Sequence, residues 1–160
     1  MKETTCCFTG HRSIPPFFTE NLKEMATNKI NSLIKTGVNT FICGGAVGFD
    51  MICGLIISKI KEENKNIKLI LFIPHYDQDK FYNEKNKACY NHLKKIADKI
   101  IYTSKDYYSG CLHLRNRLMV DNSAYLISYC TKSYGGSYYT KEYANLCGLN
   151  IIDVTDGSFF

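Results

Sequence analysis

Apolar residues recur along this chain in two alternating rhythms. Short runs, continuous or of period two, occupy residues 4–9, 40–43, 68–73, 99–103, 125–130 and 150–154. Their length and their Ile, Phe and Cys content are those of strands covered on both faces. Between them the spacing lengthens to that of a helix. Leu22, Met25, Ala26, Ile30, Leu33 and Ile34 form one apolar stripe, closed by Gly37 as a C-cap. Further helices are expected over residues 49–63, 79–97, 112–122 and 139–146. Strict alternation of strand and helix predicts βαβ units with right-handed crossovers. The expected fold is therefore α/β, a mostly parallel sheet of about six strands with helices on both faces. With no repeat, linker or low-complexity stretch, residues 1–160 read as one domain, ending in a loose tail over 156–160 whose Phe159 and Phe160 are able to pack.

Composition narrows the classes. Apolar residues make up 45% and charged residues 22%, as in globular domains and unlike disordered chains. A single domain of this size buries roughly 70% of its unfolded surface, enough for a core without staples. The apolar runs are far shorter than the roughly 20 residues of a membrane span, so no membrane association is expected. The first five residues lead directly into a strand without the apolar run and cleavage site of a secretory signal, and a cytoplasmic location is expected. The eight cysteines, at 6, 7, 43, 53, 89, 111, 130 and 147, include no Cys-x-x-Cys pair. They read as reduced core residues, with neither a disulfide framework nor a zinc site. No metal and no cofactor is expected.

The formal charge of +5 comes from 20 basic and 15 acidic residues, and the lysines are scattered along the helices. That diffuse pattern argues against a nucleic-acid partner, which favours a concentrated stripe. Only three of the 20 basic residues are Arg, leaving 17 Lys. All three, Arg12, Arg115 and Arg117, fall in two short segments. In a chain that uses Lys wherever charge alone suffices, Arg marks positions that need a planar, bidentate fork.

In open parallel sheets ligands bind outside the carboxyl ends of the strands, so the chemistry is sought there. The first expected strand ends in Thr9-Gly10-His11-Arg12 and the second in Gly44-Gly45-Ala46-Val47-Gly48-Phe49-Asp50, which opens a helix. Glycines at such a junction let the backbone approach an anion, and the first helical turn supplies N–H donors. The spacing is neither the dinucleotide Gly-x-Gly-x-x-Gly nor a P-loop. Arg12 is placed to grip a phosphate or carboxylate, His11 to donate a hydrogen bond or cap a loop. Asp50 suits a structural role in the first helical turn as well as the edge of a ligand site. Arg115 and Asn116 put a polar pair on an otherwise apolar helix. After the fifth strand, Gly135-Gly136-Ser137 opens another helix carrying Thr140 and Glu142, a second anion cradle.

Taken in order, Thr9-Gly10-His11-Arg12, Gly44 to Asp50, Arg115-Asn116 through Met119-Val120-Asp121, and Gly135-Gly136-Ser137 with Tyr143-Ala144 resemble the YpsA-like branch of the SLOG superfamily. That superfamily takes its name from the SMF/DprA proteins and the LONELY GUY (LOG) proteins. The resemblance spans residues 8–144 and implies a Rossmann-like sheet with a nucleotide-type ligand across the two glycine loops. LOG enzymes hydrolyse the N-glycosidic bond of nucleoside monophosphates. This chain is similar to them at His113-Leu114-Arg115 with Met119, and at Gly135-Gly136 with Glu142. It departs from them at Tyr134, Tyr138, Thr140 and Asn116, which stand where the LOG pattern has Pro, Gly, a shifted Thr and Lys.

The first expectation is a binding or regulatory protein for a nucleotide or nucleotide-derived phosphate ligand. Gly10, His11, Arg12, Gly44, Gly45, Gly48, Asp50, Asn116, Gly135, Gly136, Ser137 and Thr140 would form the ligand site. The alternative is a LOG-like nucleotide hydrolase in which Glu142 activates water and Arg115 fixes the phosphate. A third reading is single-strand DNA binding, with some of the 12 Tyr as stacking surfaces. A homodimer is left open.

Overall fold

The computed structural model describes residues 2–155; the expected loose tail lies outside them. Six strands, β1 (Thr5–Gly10), β2 (Thr40–Cys43), β3 (Lys68–Ile73), β4 (Lys99–Tyr102), β5 (Tyr125–Tyr129) and β6 (Asn150–Asp153), form one sheet in the order β4-β3-β2-β1-β5-β6. Every pairing is parallel. The intervening helices are α1 (Thr19–Lys35), α2 (Phe49–Glu63), α3 (Glu84–Ile96), α4 (Cys111–Asp121) and α5 (Gly136–Leu146).

The period of two along each strand sorts side chains into two cores. Cys6, Phe8, Phe41, Cys43, Leu69, Leu71, Ile73 and Ile127 pack with Leu22, Ala26 and Ile30 of α1, Phe49 and Ile57 of α2, and Tyr90 and Leu93 of α3. The alternate positions, Cys7, Ile42, Phe72 and Leu126, pack with Met119 and Val120 of α4 and Ala144 of α5. Right-handed crossovers require this division. The chain steps outward from β1 to β4 with α1–α3 on one face, then crosses to β5 and β6 with α4 and α5 on the other. The reversal of direction falls between β1 and β5, two strands from the β6 edge of the sheet.

Two helices start elsewhere than the periodicity predicts. Helix α3 begins at Glu84, because the Asn83 side chain accepts a hydrogen bond from the Asn86 N–H at 2.8 Å and caps it there. Residues 79–83 are thereby left in a turn. Helix α5 starts three residues early, at Gly136, directly after Gly135.

No helix among the described residues is long and apolar enough to cross a membrane. All eight cysteines are free thiols. Cys6, Cys7, Cys43, Cys53 and Cys111 are buried, Cys89 and Cys130 half-buried, and Cys147 exposed. The core reading thus holds for five, while Cys147 sits at the end of α5, facing solvent. Brief alkylation of the native protein is expected to modify Cys147 first and to spare the five buried thiols until denaturant is added. Mass mapping checks this, and early labelling of Cys6 or Cys43 would contradict the packing.

Candidate functional site

The segments that follow β1, β2 and β5, together with one face of α4, converge on a cleft of about 500 Å³ at the carboxyl edge of the sheet. Gly10, His11 and Arg12 line it from β1, and Gly44, Ala46 and Asp50 from the β2–α2 connection. Arg115 and Asn116 come from α4, and Lys132, Gly135, Gly136 and Ser137 from the β5–α5 connection. Strand β1 lies between β2 and β5, so the cleft opens where the strand order reverses, the usual ligand position in such sheets.

The β2–α2 loop is folded around the Asp50 carboxylate. Oδ1 accepts from the Gly44 N–H at 2.9 Å, and Oδ2 from Gly44 at 3.1 Å and from Ala46 at 3.0 Å. Asp50 is only 7% exposed. Burial pushes its carboxyl above the ordinary value, while the Arg115 charge and the loop N–H groups oppose that shift. The loop is closed behind by backbone: the Phe49 N–H donates to the His11 carbonyl at 3.1 Å. Gly48, at φ +92°, lies so close to His11 and Arg12 that a Cβ would collide with their main chain.

Arg115 is 4% exposed and spends its Nη1 and Nε donors inside the protein. Its Nη1 reaches the Gly44 carbonyl at 2.6 Å, the Phe72 carbonyl at 3.1 Å and Gln78 Oε1 at 3.2 Å, and its Nε donates to Asn116 Oδ1 at 2.9 Å. A Cβ on Gly44 would stand 2.5 Å from Nη1, so glycine is needed there to admit the guanidinium. Burial lowers the Arg115 pKa, opposed chiefly by Asp50. The turn before α3 seals the same loop from outside. Gln78 Nε2 donates to the Gly44 carbonyl at 3.0 Å and Tyr82 Oη to the Gly45 carbonyl at 2.8 Å.

The other glycine loop is built differently. Gly135 and Gly136 have open space where a Cβ would be, and α5 has no side-chain cap. The first intrahelical bond runs from the Tyr139 N–H to the Gly135 carbonyl, so the N–H groups of Gly136, Ser137 and Tyr138 precede the helical ladder. They carry the positive end of the helix dipole into the cleft. Exposed Arg12 and Lys132 share the cleft with them. His11 ties the two sides together, since its Nε2 accepts from the Thr131 N–H at 2.8 Å and lies 3.0 Å from Thr131 Oγ1. Its backbone N–H donates to the Tyr129 carbonyl at 3.2 Å.

Of the residues singled out in the sequence, Gly10, His11, Arg12, Gly44, Asp50, Arg115, Asn116, Gly135, Gly136 and Ser137 line this one cleft. Gly45, Gly48, Thr140 and Glu142 do not. Gly45 faces Tyr90, and Gly48 packs on the β1 loop. Thr140 is buried and donates to the Gly136 carbonyl at 2.9 Å. Glu142 is exposed on α5. Sequence reasoning missed Gln78, Tyr82 and Lys132. Asn83-Glu84 carries a helix-start signal that would have freed Tyr82 from the helix assigned to it, but nothing local announces the contact of Gln78 and Tyr82 with the glycine loop.

Two outcomes follow from this geometry. Asp50→Ala leaves the Gly44 and Ala46 N–H groups unpaired beside a buried guanidinium, and is expected to cost about 3 kcal/mol of unfolding free energy. Glu142→Ala, at an exposed helix position, should stay within about 0.5 kcal/mol of wild type. Urea denaturation of both checks the contrast, and equal midpoints would contradict the frame.

His11 supplies a pH signature. Burial and then the Lys132 charge lower its pKa, so the folded state binds its proton more weakly than the unfolded chain does. Its contribution is full above the unfolded value of about 6.5 and is lost as pH falls through the lower folded value. Wild type is expected to lose more stability than His11→Gln between pH 7.5 and 5.5. An identical loss in both proteins would refute the lowered His11 pKa.

A UPF0398 protein of Bacillus pumilus strain SAFR-032 is 25% identical over 138 residues, covering 84% of this chain and 74% of that protein. The SPbeta prophage-derived protein YoqJ of Bacillus subtilis strain 168 is 26% identical over 136 residues, covering 77% and 80%. DNA processing protein A (DprA) of Streptococcus pneumoniae has a similar structure, with a TM-score of 0.66 at 18% identity over 96% of this chain and 52% of that one. DprA of Helicobacter pylori, whose structure is described for its single-stranded DNA binding mode, gives a TM-score of 0.63 at 19% identity over 92% and 63%. The chain thus spans between half and two thirds of these DprA chains, and at such identities the likeness is one of fold. The sequence pattern of the YspA SLOG family matches residues 6–146, nearly the whole length, and the chain belongs to that family.

Proposed function

We propose that the chain is a binding protein for a phosphate-bearing nucleotide or nucleotide-derived molecule, held in the cleft at the carboxyl edge of the sheet. One observation carries the reading. Two segments far apart in sequence, one after β1 and one after β5, bring Arg12, Lys132 and the uncapped start of α5 to a single cleft. Its only acid among the described lining residues, Asp50, already accepts backbone N–H groups. Such a surface is complementary to an anion of phosphate size. The phosphate would sit on the Gly136 and Ser137 N–H groups, with Arg12 and Lys132 neutralising its charge.

The same facts support binding over hydrolysis. A hydrolase of the LOG kind needs a carboxylate free to act on water beside the anomeric carbon. Asp50 is bonded to the loop, and Glu142 lies outside the cleft lining.

A second reading, single-stranded nucleic acid, has its own observation. At the carboxyl ends of β3 and β4, Tyr76, Phe81 and Tyr107 are 54%, 90% and 67% exposed, and Lys80 Nζ stands 5.4 Å from the Phe81 ring centroid. Exposed rings with adjacent cations are the stacking platforms of single-strand binders, and an H. pylori DprA with this fold is described as binding single-stranded DNA.

Thermal shift and product chromatography on a panel of nucleoside monophosphates and ADP-ribose separate the readings. Stabilisation following roughly RT ln(1 + [L]/Kd) is expected with no free base released over hours. Arg12→Ala/Lys132→Ala should weaken affinity at least about tenfold through the loss of charge-assisted bonds. Base released by wild type but not by Glu142→Gln would reverse the choice in favour of the hydrolase. Oligonucleotide affinity that falls steeply with salt and is lost on Tyr76→Ala/Phe81→Ala would favour the nucleic-acid reading.

A further inference from the structure

Helix α2 lies between α1 and α3 on one face of the sheet, and a helix so placed keeps a polar stripe toward water. The first nine residues of α2, Phe49 to Ile57, carry no polar side chain except Asp50, which is bonded into the glycine loop. Ile52 and Leu55 are only half-buried and lie on one face with Lys59 and Glu62, at spacings of i+3, i+7 and i+10. With Val47 they form the floor of an open trough of about 900 Å³ running along α2, walled by α1 and α3. This trough is distinct from the nucleotide cleft, although Arg12 borders both.

Its rim is strongly one-signed. Arg12, Lys23 of α1, Lys59 of α2 and Lys85 of α3 line it against a single acid, Glu62, among the described residues. Lys23 has a partial partner in Glu20 at 3.8 Å; Lys59 and Lys85 are exposed. An apolar floor between two parallel walls fits the stripe of an amphipathic helix, as in helix-in-groove recognition. The basic rim selects the charge of what flanks that stripe. A second copy of this chain is a poor occupant, because a twofold contact would press two basic rims together and the chain as a whole carries +5.

We propose that the α1–α2–α3 trough docks an amphipathic helix of a protein partner whose apolar stripe is flanked by Asp and Glu. The half-buried Ile52 and Leu55 are explained by this role, since the partner helix supplies the cover that the fold itself leaves off.

The test uses the full chain and a displayed library of 20-residue helical peptides with every position randomised. Selection is expected to enrich peptides with apolar residues at i, i+3 or i+4, and i+7, flanked by acids. Purified binders should lose at least tenfold in affinity for Leu55→Asp. They should lose a similar factor for Lys59→Glu/Lys85→Glu, whose exposed positions leave folding intact and which should instead accept the same peptides with Lys flanks. No enrichment, enrichment without acidic bias, or affinity undiminished from wild type in either variant overturns the proposal. So does sedimentation of wild type as a dimer that dissociates in Leu55→Asp, which assigns the trough to a second copy. Binding to anionic vesicles that is abolished by Leu55→Asp also overturns it, assigning the trough to a membrane surface.

Discussion

Gly44 is held from both sides by buried charged groups, its N–H by the Asp50 carboxylate and its carbonyl by the Arg115 guanidinium. Through that one residue the end of β2, the start of α2, the middle of α4 and, by way of Gln78, the turn before α3 are locked together. Burying two charges is costly, and the cost is offset by the Gly44 and Ala46 N–H groups on Asp50 and by the Gly44 and Phe72 carbonyls, Gln78 and Asn116 on Arg115. Nothing larger than glycine fits between Arg115 and the loop. The shape of the cleft depends on this clamp, since it fixes the wall against which the β1 and β5 loops stand.

The clamp gives the two glycine loops different tasks. In the first, Asp50 collects the N–H groups that a phosphate would otherwise recruit, and the glycines serve close packing against Arg115 and the His11 main chain. The second, at Gly135–Ser137, is open and uncapped. In the function we propose, the first loop is scaffold and the second is the anion cradle, with the exposed Arg12 and Lys132 as the charges that meet the ligand. The His11–Thr131 bond holds the cradle at its distance from β1.

The sheet was largely legible because a strand covered on both faces writes its period into the sequence. Cys6, Cys7 and Phe8 alternate between the two cores as expected. The rarity of Arg drew attention to Arg115, which lines the cleft, but its Nη1 is spent on the Gly44 and Phe72 carbonyls and its Nε on Asn116. What a guanidinium binds is decided by burial, which residue type does not reveal. Glu142 stood at the right step after Gly135-Gly136, yet helical geometry turns it to solvent. Gln78 and Tyr82 were invisible because their partners lie 34 and 37 positions away, and for Tyr82 because its turn fell within the helix expected over 79–97. Lys132 was one lysine among 17, distinguished only by where the β5–α5 loop carries it.

The central claim is that the anion cradle lies at the start of α5 and that the loop around Asp50 is closed to ligand. Titration of ¹⁵N-labelled protein with inorganic phosphate and with AMP, read amide by amide, tests it most directly. Saturable shifts of the Gly136 and Ser137 amides, with those of Gly44 and Ala46 unmoved, are the predicted result. Shifts at Gly44 and Ala46, showing that the anion displaces the Asp50 carboxylate, or a silent α5 N-terminus, would contradict the account.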